Sequence, residues 1–95
     1  MTKTATIPWD TADRLETPED IVAYLEVAFE DGDPELVNLA QGAVARSKGM
    51  TEIARRTGLG RQSLYKALSA GGRPEFGTVL RVVRALGLKL TVTAA

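Results

Sequence analysis

Residues Thr51–Leu68 read TEIARRTGLGRQSLYKAL, a helix, a tight turn and a second helix. Ile53 and Ala54 are apolar neighbours on the first helix, and Thr57 closes the same face four residues after Ile53. Gly58 stands where the chain must turn, and glycine tolerates the positive φ such a turn demands. Leu59 plugs the turn. Gly60, Arg61, Gln62 and Ser63 open the second helix, which Leu64 and Leu68, four residues apart, pin to a core. This leaves Arg61, Gln62, Ser63, Tyr65 and Lys66 facing outward near the start of that helix. A major-groove reading helix needs this layout, with base edges met by residues near its N-terminus. Arginine can donate twice to guanine, and glutamine pairs with adenine. An ordinary helical hairpin with a solvated polar face has the same pattern, so the surrounding chain has to decide between them.

The 95 residues suffice for one domain with a small core. The sequence contains no cysteine and no histidine. It therefore has no thiol nucleophile, no thiolate metal site and no imidazole base. A catalytic role is the least favoured class; Tyr65 beside Arg61 resembles a tyrosine nucleophile, but the acid–base partners are missing. No metal site and no cofactor are expected. No apolar run approaches a membrane span, and the N-terminal MTKTATIPWD lacks an apolar signal core, so a cytoplasmic location is expected.

The net charge of zero hides a division. Residues 1–34 carry nine acids against two bases, and residues 35–95 carry ten bases against three acids. The basic part suits a polyanion, the acidic part a basic protein. Two regions follow: an acidic arm and helix over 1–34, and a helix-turn-helix domain over 35–95.

Upstream of the central motif, Trp9 sits in a small apolar knot, and Asp10 suits the cap of a short turn through Leu15. Thr17-Pro18-Glu19-Asp20 predicts a helix start: a capping threonine, proline in the first turn, and acids at the positive helix end. Ile21, Tyr24, Leu25, Ala28 and Phe29 form its apolar stripe, with Glu26 and Glu30 on the acidic face and Gly32 as the stop. Asp33-Pro34 starts a second helix over 35–47 with Leu36, Leu39, Ala40, Ala43 and Val44 as its stripe. Arg46 and Lys48 close it, suited to its negative end and to a phosphate backbone. Downstream, Ser69–Pro74 is a turn in which Arg73 is a candidate phosphate contact. Phe76, Val79, Leu80, Val83 and Leu86 mark a last helix that Gly87 ends. Leu88 to Thr93 then switches to period two, with Leu88, Leu90 and Val92 on one side. A lone strand leaves backbone groups unpaired, and a two-fold dimer offers its twin.

With residues 36–88 in view, the chain resembles the repressor helix-turn-helix superfamily that includes phage lambda repressor and Cro. The residues that carry this are Ile53-Ala54, Gly58-Leu59, Arg61, Ser63-Leu64, Arg73-Pro74, Phe76, Thr78-Val79-Leu80 and Ala85-Leu86-Gly87-Leu88. A narrower resemblance spans nearly the whole chain. Trp9-Asp10, Thr17–Leu25, Asp31–Pro34, Ala45–Ala54, Ser63–Ser69 and Val83–Leu88 resemble the probable addiction-module antidote family. That resemblance implies an antitoxin of a type II toxin–antitoxin pair, encoded beside a small basic RelE/ParE-type toxin. It also implies a homodimer that represses its own operon. Gly49-Met50-Thr51 departs from the Thr-Gln pair that opens the first motif helix in many of these repressors. Gly60 replaces the usual serine at the start of the second, removing a cap and a contact.

The expectation is an all-α protein: a five-helix lambda-repressor-like domain with an acidic helical extension and one C-terminal strand paired across a dimer. Double-stranded operator DNA is to meet Arg61, Gln62, Ser63, Tyr65 and Lys66, with Arg46, Lys48, Arg55 and Arg73 on phosphates. The toxin is to meet Trp9, Tyr24, Glu26 and Glu30. Leu88, Leu90 and Val92 are to join two copies. A stand-alone dimeric repressor without a toxin is the alternative, and an interaction module that no longer reads DNA is a third possibility.

Overall fold

In the computed structural model, residues 15–95 are described. Asp20 accepts hydrogen bonds from the Thr17 and Glu16 amides (3.1 and 3.2 Å), while the Thr17 hydroxyl accepts from the Asp20 amide (3.1 Å). This reciprocal cap starts α1 (Pro18–Asp31), and the two backbone donors hold the Asp20 carboxyl below its ordinary pKa. Gly32, at φ 82°, ends the helix in the left-handed region. Asp33 then accepts from the Glu35 amide (3.0 Å) and begins α2 (Pro34–Lys48). The remaining helices are α3 (Met50–Thr57), α4 (Arg61–Ala67) and α5 (Phe76–Ala85).

Among the described residues all regular structure is helical, and the acidic helix is one of the five rather than an addition to five. Its stripe, Ile21, Tyr24, Leu25 and Ala28, is buried in the same core as Val44, Ile53, Leu64, Leu68, Val82 and Leu86. Burying Leu64 or Leu68 contributes about 1.5–3 kcal/mol each. The turn between α3 and α4 closes as its residues require. Gly58 takes φ 78°. The Thr57 hydroxyl donates to the Ala54 carbonyl (3.1 Å) and accepts from the Leu59 amide (3.2 Å).

Four local expectations differ from the structure. Phe29, expected in the apolar stripe of α1, is 36% exposed at its edge. Phe76 is 69% exposed instead of joining the apolar stripe of α5, because the first turn of that helix overhangs the core edge. In α2 the polar Asn38 and Gln41 are buried beside Ala40, Ala43 and Val44, so the buried face is wider than its apolar stripe. The run Leu88–Thr93 forms no strand: residues 88–95 have no regular structure. Among the described residues their one backbone hydrogen bond is from the Leu88 amide to the Val83 carbonyl (3.1 Å). A strand needs a neighbour to pair with, and the described chain supplies none.

Candidate nucleic-acid interface

Leu64 is completely buried, and this fixes the face that α4 shows to solvent. Arg61, Gln62, Ser63, Tyr65 and Lys66 are all exposed. The Arg61 guanidinium lies 5.7 Å from the centroid of the Tyr65 ring, a cation–π distance that organises the outer surface of the helix. Among the described residues no side chain caps α4, as expected from Gly60 at its N-cap. Arg46 and Lys48 are exposed at the end of α2, and Arg73 is exposed in the loop after α4. Arg46 leans back along α2: its guanidinium lies 3.3 Å from where a Cβ on Gly42 would stand.

Arg55 is exposed but not free. Its guanidinium grips both Glu52 carboxylate oxygens, and Arg56 adds a contact of 2.8 Å to the same carboxylate. These donors pull the Glu52 pKa down to about 2. Arg56 also donates to the Ala85 carbonyl (3.2 Å), tying α3 to the end of α5. A phosphate that meets Arg55 has to compete with Glu52.

Of the residues expected to meet a toxin, Glu26 and Glu30 are exposed on α1. Tyr24 is 7% exposed and faces the core. Its hydroxyl has no hydrogen-bond partner among the described residues, and burial raises its pKa against the opposing effect of Arg46. Trp9 and the turn expected after Asp10 lie outside the described residues. Leu88 is half-buried against the core, Leu90 is exposed and Val92 is 97% exposed. The tail borders a groove whose other wall is Val22, Leu25 and Phe29 of α1. No helix among the described residues is long and apolar enough to cross a membrane.

Sequence reasoning missed Asn38 and Gln41. Asn38 donates from Nδ2 to the carbonyls of Ser69 (2.7 Å) and Gly72 (3.4 Å), which fixes the loop that carries Arg73. The available signal was a polar pair at i, i+3 inside an otherwise apolar face of α2.

Residues 5–94 match the family described as "Probable addiction module antidote protein". An uncharacterized protein of Haemophilus influenzae is 42% identical over 84 residues, covering 88% of this chain and 87% of that protein. No solved structure matches. The chain belongs to the family of probable addiction module antidote proteins, whose members by that description counter a toxin.

Proposed function

We propose that this protein is the antitoxin of a type II toxin–antitoxin module. It neutralises a small basic RelE/ParE-type toxin by direct binding, and as a dimer it represses its own operon. The carrying observation for the second role is α4. Leu64 and Leu68 hold it from beneath, while Arg61, Gln62, Ser63, Tyr65 and Lys66 stay open to solvent. This is what a lambda-repressor-like recognition helix requires. Arg61, Gln62 and Ser63 read bases, Tyr65 and Lys66 meet bases or the backbone, and Arg46, Lys48 and Arg73 neutralise phosphates. Arg55 joins them only by leaving Glu52. The acidic face of α1, with Glu26 and Glu30, attracts the toxin, and Trp9 and Tyr24 belong to the same half of the chain. Leu90 and Val92, with the unpaired backbone around them, pair with the twin tail in the dimer.

Growth rescue tests this. The small reading frame beside the gene is expressed with and without this protein, and colony growth is followed. Arrest by the neighbour and recovery with this chain are expected. A harmless neighbour, or one that stays toxic beside this protein, overturns the antitoxin role and leaves a stand-alone dimeric repressor.

A further inference from the structure

Gln41 is completely buried in the middle of α2, yet neither its Oε1 nor its Nε2 has a hydrogen-bond partner among the described residues. Asn38, one helical turn earlier, directs Nδ2 to the loop after α4, and its Oδ1 has no partner among the described residues. A buried amide without partners is costly, and native structures rarely keep one empty-handed. Both side chains lie in the floor of a cleft of about 860 Å³ between the α1–α2 corner and the start of α5, the Gln41 amide just beneath its surface, so that an occupant meets it when the side chain turns toward the cleft. Its walls include Phe29 and Phe76, and its lip is formed by Gly71, Gly72 and Arg73. Phe76 is the most exposed aromatic side chain among the described residues, and it borders the cleft.

We propose that this cleft binds an extended peptide segment of a partner protein, with a main-chain residue on Gln41, an apolar side chain between Phe29 and Phe76, and a basic side chain toward Glu35. The chemistry selects this occupant. A carboxamide presents one donor and one acceptor side by side. In an extended strand the N–H and C=O of a single residue also point to one side, so one residue satisfies both ends of Gln41. A nucleobase edge has the same donor–acceptor pairing. It would bring a phosphate toward Asp33 and Glu35 at the margin, and toward Glu30 and Asp31 just before it, with Arg73 as the one opposing charge in the cleft wall. The acidic margin favours a cationic peptide. This deepens the antitoxin proposal and rests on it: the partner held by α1 gains an anchor where α1 meets α2. Because Asn38 holds Ser69 and Gly72, the occupant sits against the loop that carries Arg73.

The test uses the full chain labelled with ¹⁵N and titrated with acetyl-Arg-Leu-Arg-amide. Saturable shifts are expected in the Gln41 side-chain amide and in the main-chain amides of Gly71, Gly72 and Phe76. Phe76→Ser, at an exposed position that leaves the core intact, and Gln41→Leu should each weaken binding by about tenfold or more, as should the acidic control acetyl-Glu-Leu-Glu-amide. A Gln41 amide that does not move, or equal binding by the Gln41→Leu chain, overturns the proposal and makes Gln41 a hydrated core amide. Equal binding of the acidic peptide overturns the charge assignment. The titration does not involve the toxin. If the cationic peptide binds while growth rescue fails, the cleft stands and the antitoxin role falls; rescue without peptide binding gives the reverse.

Discussion

On the proposed DNA-binding role, Arg61 is the residue on which sequence-specific binding should most depend. It stands 5.7 Å from the Tyr65 ring centroid, so its guanidinium is held near the helix surface before DNA arrives and loses less freedom on binding. Arg61→Ala should cost about 1–3 kcal/mol at one base position, read as affinities for an operator and its single-base variants. Equal loss on every sequence would make it a phosphate contact instead. Glu52 makes a different prediction. Its pKa is lowered from an ordinary 4.5 to about 2 by the hydrogen bonds from Arg55 and Arg56. A lowered carboxylate contributes stability that is complete above its unfolded pKa and is lost as pH falls through the folded one. The Tm difference between the native chain and Glu52→Gln should therefore be constant at neutral pH, shrink below 4.5 and vanish near 2. The difference will be small, because the pair is exposed and screened: the Arg55 side chain is 71% accessible. A difference that grows on acidification would contradict the clamp.

At the scale of elements, the placement of α4 rests on two glycines chosen for closeness rather than for φ. A Cβ on Gly72 would stand 2.3 Å from the Ala67 carbonyl oxygen and 2.5 Å from that of Lys66. A Cβ on Gly42 would stand 2.6 Å from the Leu68 carbonyl oxygen. These obstacles are backbone, so the loop or α2 has to shift. Gly72→Ala should destabilise by about 1–3 kcal/mol in thermal melts. It should also weaken DNA binding, since the displaced loop carries Arg73; an unchanged melt would show that the loop yields freely. The same contrast separates what the sequence disclosed from what it hid. Thr17, Asp33, Gly32 and Gly58 announced helix ends because caps and left-handed turns are local chemistry, complete within a few residues. The outward set on α4 was legible because Leu64 and Leu68 fix its phase. Phe76, Asn38 and Gln41 were not legible, because their burial depends on how α2, the 69–75 loop and α5 meet. Tyr24 fitted both an apolar stripe and an aromatic contact surface, and only packing places it in the core.

Over the whole molecule, the two charge classes lie on different elements: the acids concentrate on α1 and the α1–α2 corner, the exposed bases on α2, α4 and the following loop. On the proposed function this gives two directions of attraction. The domain measures 39 × 27 × 24 Å, so two copies fit side by side on half-sites about 34 Å apart, one turn of B-DNA. If Arg46, Lys48, Lys66 and Arg73 each neutralise one phosphate per protomer, the dimer displaces counterions at about eight phosphates. The slope of log affinity against log salt should then be about −7. Arg73→Ala, acting twice in the dimer, should reduce it to about −5. Removing the residues after Leu88 takes away Leu90 and Val92 but spares the core, because Val92 is almost wholly exposed and Leu90 lies at the surface. The truncated chain should run as a monomer in light scattering, keep the thermal stability of its core, and bind with a slope near −4. A truncated chain that remains dimeric would move the two-fold contact away from the tail. A monomer that kept the full slope would mean that one protomer alone spans the phosphates assigned here to two.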